Sequence, residues 1–92
     1  IDTAGTIVNA ADAAMDAGAK SVIVVATHGV LSGPAIDRLS QSVIKKVIIT
    51  DTISIAKDKQ IDKIKIVSVA NIFGKAVSRV HNGESVSALF EF

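Results

Sequence analysis

The chain has 92 residues, enough for one folded core and too few for two. Apolar residues make up 49% of it and ten basic side chains face nine acidic ones, so it reads as globular, with no basic stripe of the kind that nucleic acid requires. It has no cysteine for a disulfide or thiolate site, its two histidines are too far apart in sequence to suggest a zinc pair, and its longest apolar run, residues 22–26, is far below the roughly 20 residues that cross a bilayer.

In residues 6–17, Ile7, Ala10, Ala11, Ala14 and Met15 fall three and four apart while Asn9, Asp12 and Asp16 take the other side. That spacing predicts an amphipathic helix, which Gly18 is placed to end. Residues 21–27 (SVIVVAT) form a β-branched run with the composition of a central parallel strand covered on both faces. After a loop at 28–31, Ser32 supplies a capping hydroxyl and Pro34 an early helical proline for a second helix, whose inward stripe is Ile36, Leu39 and Val43. Residues 47–50 and 64–70 repeat the strand pattern, and the polar stretch 54–63 between them has no clear period. Ile72, Phe73, Ala76, Val77 and Val80 define a third helix, closed by Asn82 and Gly83, and the apolar end at 86–90 reads as a strand against the sheet that also joins a subunit contact.

Strands alternating with helices imply right-handed crossovers, hence an α/β fold: a parallel sheet with helices packed on both faces and ligands at the carboxyl ends of the strands. The first helix has no strand before it and Ile1 is not an initiating methionine. The expectation is therefore one domain, residues 1–92, truncated on its N-terminal side, with at least one strand upstream.

Asp2, Thr3, Ala4, Gly5 and Thr6 form a short loop of small and hydroxyl residues running straight into the first helix. Phosphate needs such a place: free backbone N–H groups, the positive end of a helix dipole and hydroxyl donors, with a glycine where backbone must approach the ligand. An ordinary turn, with Thr3 or Thr6 as the helix cap, is the other reading of the same residues. Asp2 would repel phosphate if it pointed inward, so its candidate roles are to accept the loop's N–H groups or to face a sugar hydroxyl or metal-bound water. His28, at the end of a predicted strand, either meets a ligand or caps its loop. His81 lies at a helix C-terminus, where the dipole favours positive charge. The lysines at 45, 46, 57, 59, 63 and 65 are interleaved with Asp58 and Asp62 and read as a solvated face.

Residues 1–6 (IDTAGT) resemble the end of the phosphoribosyl-pyrophosphate-binding motif of the type I phosphoribosyltransferase fold, in which two acidic residues come just before. Residues 26–35 (ATHGVLSGPA), 47–53 (VIITDTI) and 79–90 (RVHNGESVSALF) are similar to the T-H-x-x-x-S-G-P-A, V-V-T-N/D-T/S-I and R-x-H-x-x-x-S-V-S-x-L-F segments of the ribose-phosphate pyrophosphokinase, or phosphoribosyl pyrophosphate synthetase, family. Four ordered matches cover the whole chain and identify it with the C-terminal part of that family. The resemblance implies that Asp2, Thr3, Ala4, Gly5 and Thr6 bind the 5-phosphate of ribose 5-phosphate. It implies that Ser85, Ser87 and Phe90 belong to a phosphate or ADP effector site at a subunit interface. It further implies a cytoplasmic homo-oligomer, commonly a hexamer, that transfers pyrophosphate from MgATP to ribose 5-phosphate for nucleotide biosynthesis, with Mg2+ as cofactor.

The family's upstream acids, ATP-holding residues and catalytic lysine have no counterpart in these residues, so the chain alone is expected to be inactive. Ser54 stands where proline is common in the family, and Gly74-Lys75-Ala76 replaces A-E-A. A phosphoribosyltransferase shares the phosphate loop but not the other segments, and a non-catalytic regulatory relative of the synthetase is the third reading.

Overall fold

The computed structural model describes residues 1–91; Phe92, the last residue of the predicted domain, lies outside them. The β-branched runs become three strands, β1 (Ile23–Ala26), β2 (Lys46–Thr50) and β3 (Ile64–Val67), and the amphipathic stretches become α1 (Gly5–Asp16), α2 (Ala35–Gln41) and α3 (Ala70–His81). The strands form one parallel sheet in the order β1-β2-β3. The fold is therefore the α/β parallel sheet that the alternation predicts.

Register decides which side chains share a face. Val24 lies beside Val47, which lies beside Ile64, and Ala26 beside Ile49 beside Ile66. Val24, Val47 and Ile49 are buried together with Ala11 of α1 and with Ala35 and Leu39 of α2. The opposite face carries Ile23, Val25, Lys46, Lys65 and Val67, all exposed, and Ile48, half-buried. Helices α1 and α2 thus cover one face, and among the described residues nothing covers the other. Within the described residues β2 holds the centre, and β1 is at the edge with one face buried; the expectation of a central, doubly covered β1 included a further strand upstream, which lies outside these residues. The β-branched composition of β1 suits burial on both sides, but composition does not say which chain segment does the covering.

Helix α2 is shorter than predicted. It stops at Gln41, leaving Val43 exposed and giving the core position to Ile44. Ser42 ends it, with its hydroxyl donating to the Leu39 carbonyl and accepting from the Ile44 amide. Lys63 then places its ammonium 2.9 Å from the Leu39 oxygen, 3.2 Å from Ser40 and 2.9 Å from Ser42, at the negative end of the helix dipole. One lysine of the predicted solvated face is therefore a helix cap. The stretch at 54–63 contains a single turn of 3₁₀ helix, Lys57–Lys59.

Helix α3 has an apolar side but buries none of its residues; Phe73 is 57%, Val77 68% and Val80 70% exposed. The radius of gyration is accordingly 16.4 Å, against about 12 Å for a compact domain of this length. The tail does not form the predicted strand: Ser87–Phe90 is a 3₁₀ turn that packs on α3. It follows Gly83, whose φ of 70° ends the helix as predicted. At the other end of α3, Asp51 accepts the Val69 amide at 2.8 Å. The Ser68 hydroxyl and that amide hold its carboxyl below the ordinary carboxylate value.

A group with a depressed folded pKa stabilises above its unfolded value near 4, and that contribution disappears as pH falls through the folded value. Asp51→Asn is therefore expected to make the first turn of α3 exchange its amide hydrogens faster than wild type at neutral pH. The difference should vanish once the solution is well below pH 4. A gap between the two proteins that persisted unchanged at low pH would contradict the carboxylate cap.

Candidate phosphate-binding loop

The segment before α1 has its acceptors used and its donors free. The Ile1 carbonyl receives the amides of Val30 at 2.9 Å and Leu31 at 3.2 Å, and the Asp2 carbonyl receives that of Ser32 at 3.0 Å. The Thr3 carbonyl receives Nη1 of Arg38 at 3.1 Å, and the Ala4 carbonyl receives the Val8 amide at 3.1 Å. Across from them, among the described residues, the amides of residues 2–7 meet no protein acceptor. Six consecutive N–H groups, leading into and opening a 12-residue helix, are thus without protein partners. Such groups need water or an anion to accept their hydrogen bonds.

The turn that brings this about is made by Ala4, at φ 67°, and not by Gly5, which is already helical. A left-handed alanine costs roughly 1–3 kcal/mol, and it is buried here at 5% exposure in contact with the core. Leu31, fully buried, is left-handed as well at φ 54°. Gly5 also lies close to the α2 side. A Cβ on it would come 3.1 Å from Nη1 of Arg38. Neither Thr3 nor Thr6 caps the helix: Ala4 is the cap residue, no side chain fills that role, and both threonines are exposed. Ile1, Asp2, Thr3, Ala4, Gly5 and Thr6, with Ile7 and Ala10, line a depression of about 260 Å³.

Asp2 does not collect the loop's amides, as one sequence reading had it. Its Oδ1 accepts the hydroxyl of Ser32. Ser32 in turn is not the cap of α2, whose N-cap position is taken by Pro34 with no side-chain cap. Its hydroxyl is committed to Asp2, tying the loop to the β1–α2 connection and holding the carboxylate by a neutral donor.

The other candidates fall elsewhere. His28 Nδ1 lies 2.7 Å from the Thr52 hydroxyl, joining the loops that follow β1 and β2; Thr50 adds a 2.6 Å bond from its hydroxyl to the Thr27 carbonyl. His81 is in the last turn of α3 and exposed. Ser85 and Ser87 come together, their hydroxyl oxygens 2.7 Å apart, and Nη1 of Arg79 donates to the Ser85 carbonyl at 3.1 Å. Phe90 is 65% exposed, one 3₁₀ turn further on. Among the described residues no three His, Cys, Asp or Glu side chains are grouped to hold a metal, and no helix is long and apolar enough to cross a membrane.

Sequence reasoning did not find Arg38. It belongs to none of the segments whose pattern points to chemistry, and its place beneath the loop follows from the packing of α1 on α2. Ser32 was found, but given its neighbour's helix as partner instead of a residue 30 positions away. The left-handed Ala4 carries no sequence signal, because glycine is the residue that usually announces such a turn.

The phosphoribosyl synthetase-associated domain family matches residues 1–91. Among curated relatives, a ribose-phosphate pyrophosphokinase of Caldanaerobacter subterraneus is 60% identical over 98% of this chain, and one of Clostridium acetobutylicum is 56% identical over 99%. The chain spans 28% of the length of each. A crystal structure of phosphoribosylpyrophosphate synthetase from Mycobacterium smegmatis matches 90% of this chain and 28% of its own with a TM-score of 0.87 at 40% identity.

The Asp2 to Ser32 bond is measurable as a coupling. Ser32→Ala and Asp2→Ala should each destabilise the protein, and the double variant should lose less than the sum, by about 1 kcal/mol, because the second change removes a partner already lost. Urea unfolding of the four proteins gives the cycle. Strict additivity would show that the two side chains do not interact.

Proposed function

The chain belongs to the phosphoribosyl synthetase-associated domain family, and from that membership we propose that it is part of a ribose-phosphate diphosphokinase. Its share of the work is to hold ribose 5-phosphate by the 5-phosphate in the loop formed by Asp2, Thr3, Ala4, Gly5 and Thr6. The observation that carries this reading is the run of six unpartnered amides, residues 2–7, bordering a depression of about 260 Å³. A phosphate has acceptor oxygens to offer each of them, and its charge is favoured at the helix N-terminus. Thr3 and Thr6 add hydroxyl donors.

Tethering the substrate at its phosphate end restricts where the C1 hydroxyl can go, which lowers the entropic part of the barrier when that hydroxyl attacks the β-phosphorus of ATP. The bond from that phosphorus to the AMP oxygen breaks, the pyrophosphoryl group passes to the C1 oxygen, and AMP leaves. ATP would be held by residues outside these 92. Mg2+ is proposed to enter with ATP and would neutralise charge on the transferring phosphates; among the described residues no three His, Cys, Asp or Glu side chains are grouped to hold it.

Ser85, Ser87 and Phe90 are proposed to contribute to a phosphate or ADP effector site. The paired hydroxyls and the neighbouring guanidinium of Arg79 support it, since anionic ligands are bound by such donors. The exposed apolar side of α3 supports assembly into a homo-oligomer, because large unpaired apolar surface favours association. A cytoplasmic location is part of the same proposal.

Two measurements on the intact enzyme follow. Thr6→Ala should weaken ribose 5-phosphate binding by roughly tenfold to a hundredfold, the value of one hydrogen bond to a charged group at about 1.5–3 kcal/mol, while ATP binding stays near wild type. Unchanged ribose 5-phosphate affinity in a folded variant would contradict the phosphate loop. Replacing Ser85 and Ser87 together by alanine should shift the response to phosphate and ADP and leave the maximal rate nearly intact. Effector curves that overlay wild type would remove the tail from the regulatory site.

A further inference from the structure

Arg38 is the charged side chain that touches the loop, and its placement runs against what electrostatics alone would choose. Its Nη1 donates to the exposed Thr3 carbonyl at 3.1 Å and lies 3.1 Å from where a Cβ on Gly5 would be. This puts a guanidinium beside the N-terminus of α1, itself the positive end of a dipole, in a first turn that has no acidic residue and no side-chain cap. Two carboxylates lie nearer in sequence or space, Asp37 next to it on α2 and Asp12, which lines the same surface depression as Arg38. Among the described residues it forms an ion pair with neither. A surface arginine free to choose would pair with such a carboxylate. This one reaches across from α2 to a backbone carbonyl instead.

We infer that Arg38 is a positioning residue for the phosphate site: by holding the Thr3 carbonyl from behind it keeps the amides of residues 2–7 turned outward, and its charge is compensated when an anion occupies the loop. The inference rests on the phosphate-loop reading. It assigns to the α2 side the task of shaping a site whose ligand-facing groups all come from the loop and α1. A Cβ at position 5 would crowd the same guanidinium, which would have to give by a few tenths of an ångström. The fork of the guanidinium suits the role better than the single ammonium of lysine, because it is planar and preorganised.

The test uses the intact enzyme and compares wild type with Arg38→Met, which keeps the apolar stem, and Arg38→Lys, which keeps the charge. Arg38→Met should raise KM for ribose 5-phosphate by about tenfold, the magnitude of one charge-assisted hydrogen bond, and leave kcat and KM for ATP within about threefold. Arg38→Lys should restore part of the loss. Ribose 5-sulfate, of similar shape but with one negative charge, should be bound less well than ribose 5-phosphate by wild type, and that preference should shrink in Arg38→Met.

A general loss of folding would move all substrates together, and in that event Arg38→Lys alone decides: a selective rise of KM for ribose 5-phosphate supports the inference. If both variants kept wild-type KM while Thr6→Ala weakened ribose 5-phosphate binding, the inference would fall and the phosphate loop would stand. If Thr6→Ala were also without effect, the phosphate-loop reading would fall, and this inference with it.

Discussion

Everything proposed for this chain depends on an asymmetry in one short segment: the carbonyls of residues 1–4 are all engaged by protein donors, and the amides of residues 2–7 are engaged by none among the described residues. Backbone groups are normally satisfied in pairs, so a stretch whose acceptors are used and whose donors are free has hydrogen bonds left to give to water or to an anion. The engagement comes from three directions. Residues 30–32 supply amides, Arg38 supplies a guanidinium, and α1 supplies the Val8 amide that begins the helix. The loop is thereby fixed from behind by the β1–α2 connection, whose own course is set by the buried, left-handed Leu31.

Strain and function meet at the same place. Ala4 and Leu31 are the two non-glycine residues with positive φ among those described, and both are buried in the core. Together they hold the chain in a conformation that costs a few kcal/mol, which buried packing must offset. A loop held in this way would have little ordering entropy to lose if an anion bound to it. The Asp2 carboxylate would oppose an anion, and Ser32 holds it with a hydroxyl.

Much of the architecture was legible in the sequence. Three-and-four spacing located α1 and α3, β-branched runs located the three strands, and their alternation gave a parallel sheet. β1 was read as central, with a further strand upstream; within the described residues it has a neighbour on one edge and a cover on one face. What failed had a local cause. The tail was read as a strand from Val86, Leu89 and Phe90, whereas bonds among Ser85, Ser87 and Arg79 wind it into a turn. The loop's small and hydroxyl residues announced an anion site by composition. Which of them turns the chain, which carbonyls are consumed and which arginine lies behind are tertiary facts, set by α1 packing on α2.

The most direct test is a crystal structure of the intact protein with ribose 5-phosphate bound. The account predicts phosphate oxygens within about 2.7–3.2 Å of backbone nitrogens in residues 2–7 and of the Thr6 hydroxyl, with Arg38 still on the Thr3 carbonyl. A 5-phosphate held elsewhere, with these amides bonded to water, would contradict it.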